Sequence, residues 1–152
     1  MQARLISLLD WPPVWTLGGV LAIYILGLIG FFFGFGDFGA GLGLACFAIA
    51  AWLIGSAVWI MRSKSTTVHP RATPKVLVTD GVFSISRNPI YLGFVFILVG
   101  ATFWSGSLLG FLVVAGFVVV ITDRFIDAEE DILKDKFPDE ASHWFLRTRR
   151  WL

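Results

Sequence analysis

Charge is what this chain has least of. Asp, Glu, Lys and Arg make up 15% of its 152 residues while 57% are hydrophobic; a soluble domain carries about a quarter charged residues. That imbalance, with a mean hydropathy of +0.79, excludes a disordered chain and argues against a water-soluble globule. Cysteine is almost absent too. The single Cys46 cannot close an internal disulfide, so nothing requires an oxidising compartment. Two histidines, His69 and His143, stand apart with no partner at metal-ligand spacing, and no metal is expected. A net charge of +1 gives no bulk affinity for nucleic acid. The length suits one unit, a single membrane domain over residues 1–152.

Gaps between the charges locate the membrane. Residues 11–36 and 38–61 are free of charge, separated by Asp37 and closed by Arg62. Each exceeds the roughly 20 apolar residues that cross a 30 Å hydrocarbon core. The first run is too long for the apolar part of a signal peptide, and Phe31-Phe32-Phe33 is a poor cleavage site. A third run, Asn88 to Thr122, would be about 52 Å long as one helix. Ser105-Gly106-Ser107 interrupts it with turn chemistry. The pattern therefore predicts an all-α integral membrane protein with four transmembrane helices at about 13–35, 38–61, 89–104 and 108–136. The fourth continues past the bilayer as a cytoplasmic extension, and a short interfacial helix follows at about 138–149. Gly34, Gly36, Gly39, Gly41 and Gly43 let helices approach closely.

The connector 62–88 carries Arg62, Lys64, Arg71, Lys75 and Arg87 against Asp80 alone. Short basic loops stay cytoplasmic, which would place both termini on that side of the membrane. Within the connector, Lys75-Val76-Leu77-Val78-Thr79 reads as extended, and Thr79-Asp80-Gly81 as a turn. Asn88-Pro89 is a helix start: Asn is a favoured N-cap, Pro suits the first helical position, and the free N–H groups of that turn favour an anion. Arg87 stands immediately before them. The acidic segment Asp123–Lys136 reads as an amphipathic helix. Its Glu129 and Glu130 point about 100° apart, so one can face a pocket while the other pairs with a base such as Lys134. Trp144, Phe145, Trp151 and the basic Arg147, Arg149 and Arg150 fit the lipid headgroup layer.

These pieces together resemble one family. Leu77–Gly93 (LVTDGVFSISRNPIYLG), an apolar hairpin, Glu129-Glu130 and the closing FPDEASHWFLRTRRWL look like the isoprenylcysteine carboxyl methyltransferase and phospholipid methyltransferase group. The resemblance covers Thr66 to Leu152. It implies an S-adenosylmethionine-dependent membrane methyltransferase whose lipophilic substrate enters from the bilayer. It further implies cofactor contacts from Lys75, Val76, Leu77, Val78, Phe83, Asn88, Pro89, Tyr91 and Glu129, with Glu130 beside it. Physical chemistry adds Arg87 as a partner for the cofactor's carboxylate. Asn88 stands where eukaryotic members have His, and Phe83 where Tyr is frequent. Pro138, Ala141 and Trp144 replace Gly, Tyr and Tyr. Arg124 lies near an Arg implicated in substrate handling in eukaryotic members. No catalytic base stands out. The methyl acceptor stays open between an isoprenylcysteine-like carboxylate, a phospholipid amine and a small hydrophobic nucleophile. Two alternatives compete with this reading: a small non-enzymatic transporter or scaffold, and an NADPH-dependent enzyme of the sterol-reductase type. Spans without ionisable residues speak against the first, and a shortage of basic residues for the extra phosphates against the second.

Overall fold

Low charge and long apolar runs yield helices. In the computed structural model of the chain, residues 10–29 and 35–152 are described, and their regular elements are helical. In chain order these are α1 (Pro12–Ile29), α2 (Gly36–Ser63), a 3-10 turn (Gly81–Ser84), α3 (Pro89–Ser105) and α4 (Gly110–Ile121). A π-helical turn (Thr122–Ile126), α5 (Asp127–Lys136) and α6 (Pro138–Arg147) complete the order. Phe31 to Phe33 and Gly34 of the first predicted hairpin lie outside the described residues.

Two helices among the described residues are long and apolar enough to cross a membrane, α1 with 18 residues and α2 with 28. The α3 helix has 17 residues, close to the expected 89–104, whereas α4 has 12, far shorter than the expected 108–136. Local geometry sets these limits. Gly106 takes φ +64 in the turn after α3, and the π turn divides the predicted fourth helix into α4 and α5.

The chain forms two compact units. The first comprises Met1–Ala50 and Phe94–Val120. Here α2 and α3 cross at glycine: a Cβ on Gly43 would stand 3.0 Å from the Gly100 carbonyl oxygen, and one on Gly100 3.0 Å from that of Gly43. Such approaches need a residue without a side chain. Gly39 likewise lies against the Phe103 carbonyl, whereas Gly41 faces open space. The Phe103 ring meets Phe35 and Phe111 edge-on, each at 5.5 Å. Leu17, Leu21, Leu28, Leu44 and Leu112 are exposed, Leu28 by 88%. Apolar surface of that extent suits lipid better than water.

The second unit comprises Ala51–Gly93 and Ile121–Leu152 and holds every candidate site residue. Its connector turns at Gly81, where φ is +59 and a Cβ would stand 2.6 Å from the Ile60 side chain. Any larger residue would meet both strain and a clash. Lys75–Thr79 forms irregular chain and not a strand. Helix α6 begins with Pro138 at its first turn and buries Ala141 and Trp144. It ends at Arg147, short of the expected 149, because Thr148 turns extended at φ −119, ψ 130. The segment after it then runs beside Ser86–Asn88, where the carbonyls of Arg149 and Arg150 take hydrogen bonds.

Candidate active site

The π turn brings the first part of the site together. A π-helical turn displaces carbonyls from the regular ladder and is frequent at functional sites. The Arg124 carbonyl accepts from Nε and Nη2 of Arg71 at 3.2 and 2.8 Å. The Arg71 guanidinium lies 4.3 Å from the centre of the Phe125 ring, a cation–π contact. Arg71 has φ +58, a left-handed conformation that costs a non-glycine residue about 1–2 kcal/mol. That conformation aims its main-chain N–H at Glu129, which accepts through Oε1 at 3.2 Å. The Tyr91 hydroxyl donates to the same oxygen at 2.6 Å. Residues from the connector, the first turn of α3 and the first turn of α5 thus converge on one carboxylate. Burial raises the pKa of Glu129, opposed by the Tyr91 hydrogen bond, the Arg71 N–H and the Arg71 charge.

Its neighbour Glu130 has other partners and is only 5% exposed. Arg150 grips both of its oxygens, Nε to Oε1 at 3.1 Å and Nη2 to Oε2 at 2.6 Å. Arg87 Nη1 approaches Oε1 at 3.3 Å. Arg150 Nη2 also meets Asp127 at 3.0 Å, and the Arg87 guanidinium stacks 4.5 Å from the Phe145 ring centre. Burial lowers the Arg87 pKa against the pull of Glu130, and the hydrogen bond from Arg150 to Glu130 raises that of Arg150. The expected divergence of the two glutamates is observed, but Lys134 is not the second partner. Lys134 pairs with Asp131 at 2.9 Å, because Glu130 is turned inward onto two guanidinium groups.

The tail is fastened to the start of α3. Arg87 N–H donates to the Arg149 carbonyl at 3.0 Å. Ser86 Oγ and Asn88 Nδ2 both donate to the Arg150 carbonyl, at 3.2 and 3.0 Å. Arg150, read from sequence as a headgroup contact, is instead turned into the protein. Its neighbours Arg147 and Arg149 are exposed.

Of the residues singled out in the sequence, Tyr91 and Glu129 are brought into contact, as are Arg87 and Glu130. Asn88, Pro89 and Phe83 are buried, and the Phe83 carbonyl accepts from the Trp144 indole at 3.1 Å. Val78 is buried and Leu77 half-buried, while Lys75 and Val76 are exposed. Arg124 is exposed and enters through its carbonyl. Sequence reasoning missed Arg71, Phe125, Asp127 and Arg150. Arg71 sits between Pro70 and Ala72 with no helical or strand period to mark it, and only its φ and partners reveal it. Arg150 was hidden among tail arginines that look alike until one of them turns inward.

Comparison with known proteins bears on the family of the chain. Residues 38–140 match the phospholipid methyltransferase family, more than half of the chain and including Arg71, Tyr91, Glu129 and Glu130. An uncharacterised protein of Haemophilus influenzae is 40% identical over 63 residues, which are 41% of this chain and 100% of that protein. No solved structure matches. The matched region spans α2, the connector, the start of α3 and the acidic pair, and α1 and α2 are apolar enough for the membrane setting of such enzymes. The chain therefore belongs to the phospholipid methyltransferase family, a class of membrane methyltransferases.

Proposed function

We propose that the chain transfers the methyl group of S-adenosylmethionine to a lipophilic nucleophile that arrives from the bilayer. The observation that carries this reading is the 2.6 Å hydrogen bond from Tyr91 to Glu129, which joins the Arg-Asn-Pro-Ile-Tyr element to the acidic pair. The residues present fit the cofactor. Glu129 is a mostly buried carboxylate held by a phenol and a main-chain N–H, an environment suited to a cationic ligand.

Glu129 would pair with the ammonium of the methionine portion or accept from the ribose hydroxyls. Tyr91 orients that carboxylate. The first-turn N–H groups of α3 would meet the cofactor's carboxylate. Arg87 does not take that role, since its charge is spent on Glu130. When bound, S-adenosylmethionine supplies an electrophilic methyl on a sulfonium that departs as a neutral thioether. The chain's own contribution is orientation, which is worth roughly 7–11 kcal/mol when reactants are held in line. A carboxylate acceptor needs no base, and an amine acceptor loses its proton after transfer. We assign the apolar hairpin α3–α4 as two further spans, with both termini cytoplasmic and the site on that face of a bacterial inner membrane. An isoprenylcysteine-like carboxylate, a phospholipid amine and a small hydrophobic nucleophile all fit such a site.

Titration calorimetry on the detergent-solubilised chain tests the reading. S-adenosylhomocysteine should bind, and Glu129→Gln should weaken it by roughly 10- to 100-fold, the weight of a hydrogen bond to a charged group. Absence of binding to well-folded wild type would overturn the proposal.

A further inference from the structure

Glu129 and Glu130 are adjacent on one helix, yet each must keep a different set of partners. Their side chains leave α5 about 100° apart, so a small rotation of its first turn moves one carboxylate at the expense of the other. The turn before them is π-helical, and the facing of α5 is therefore not dictated by the apolar pattern of α4. Something must set that rotation locally.

Arg150 is placed to do so. Its carbonyl is bound to Ser86 and Asn88, and the preceding carbonyl to the N–H of Arg87, which ties it to the segment that opens α3. Its guanidinium forks onto both oxygens of Glu130 and meets Asp127, which ties it to the first turn of α5. Tyr91 stands in the first turn of α3 and Glu129 in the first turn of α5. Arg150 thus holds together the two elements whose side chains meet in the 2.6 Å bond. Arg87 cannot substitute for it. Arg87 reaches a single oxygen of Glu130 at 3.3 Å, and its own Nε is buried without a hydrogen-bond partner. A fork fixes the plane of a carboxylate, whereas a single contact leaves it free to turn. Arg150 also lies beyond the residues that match the family.

We propose that Arg150 is a positioning residue for the Tyr91–Glu129 pair: clamped on Glu130 and Asp127, and anchored to Ser86 and Asn88, it sets the rotation of α5 that brings Glu129 to Tyr91. Its consequence for ligand affinity rests on the proposed methyltransferase reading, but the hydrogen bond itself does not. The chain has two tyrosines, Tyr24 and Tyr91, so Tyr24→Phe leaves Tyr91 as a unique probe. In that background, the ring-carbon resonance of tyrosine labelled at the hydroxyl-bearing carbon reports the Tyr91 hydrogen bond without any ligand.

Arg150→Lys keeps the charge and removes the fork. It should shift that resonance toward its position in Glu129→Gln, while thermal melting stays within a few degrees of the parent. S-adenosylhomocysteine affinity should fall roughly 10- to 100-fold with it. Arg150→Gln should show the same resonance shift, and provides a second variant should the lysine form fail to fold. A resonance left unmoved in folded Arg150→Lys and Arg150→Gln would overturn the inference. Wild type that binds no S-adenosylhomocysteine, with the resonance shift still present, would sink the methyltransferase reading and leave Arg150 as the positioning residue of the pair.

Discussion

Burial raises the pKa of Glu129, while Tyr91 and Arg71 pull it the other way. With the folded value above the unfolded one, the folded chain holds this proton more tightly. The stability from Glu129 is therefore fully present below the ordinary glutamate value of 4.5 and is lost as pH rises through the raised one. In the proposed site ligand binding has the opposite sign, because pairing with a cationic ammonium would require the ionised carboxylate. Affinity for S-adenosylhomocysteine should thus fall on acidification at a pH above 4.5, and calorimetry across pH will show that step. Glu129→Gln should bind weakly at every pH and lack it. Tyr91→Phe removes the 2.6 Å donor and leaves the carboxylate less compensated. Its step should move to higher pH, with affinity at neutral pH down roughly 10- to 100-fold. A step at the wild-type pH in Tyr91→Phe would show that the phenol does not support the charge.

Between residue and molecule stand the connector and the π turn, joined through Arg71. The guanidinium takes the displaced carbonyl of Arg124, and the strained φ delivers the N–H to Glu129. Arg71→Ala keeps the strain and loses the anchor, so amide exchange over residues 66–76 should accelerate. Arg71→Gly loses the same anchor but also the strain, and should melt as if about 1 kcal/mol more stable than Arg71→Ala. Equal melting would mean that the left-handed conformation is not held in the folded chain. Local chemistry made several elements legible from sequence: α2 from its apolar run, the start of α3 from Asn88-Pro89, the turn at Ser105–Ser107, and α6 from Pro138. The π turn was not legible, since its displaced carbonyl is stabilised by an Arg more than fifty residues away in sequence. Val76 and Val78 look like a strand, but β-propensity needs a neighbouring strand to act on, and none pairs with them among the described residues. The acidic pair was legible as two divergent carboxylates. The partner of Glu130, Arg150, was not, because only the tertiary turn after Arg147 brings it there.

For the molecule as a whole, the near-zero net charge conceals a division. Residues 62–88 sum to +4 and residues 123–140 to −5, and in the second unit these segments meet through Arg71 and Glu129, and through Arg87 and Glu130. The proposed topology puts the basic connector on the cytoplasmic side. If α3 and α4 cross as a hairpin, the turn at Leu108 must lie on the opposite face from Arg149. Both residues are exposed, and Cys46 is the only cysteine to replace, so the question is open to single-cysteine labelling. In a Cys46→Ala background, Leu108→Cys should react with a membrane-impermeant maleimide added outside intact cells. Arg149→Cys should react only after the membrane is broken. Asp37→Cys, at the start of α2 between the first two predicted spans, should behave as Leu108→Cys does. Labelling of Leu108→Cys and Arg149→Cys from the same side would mean that the short helices do not span, and only α1 and α2 would remain as membrane crossings.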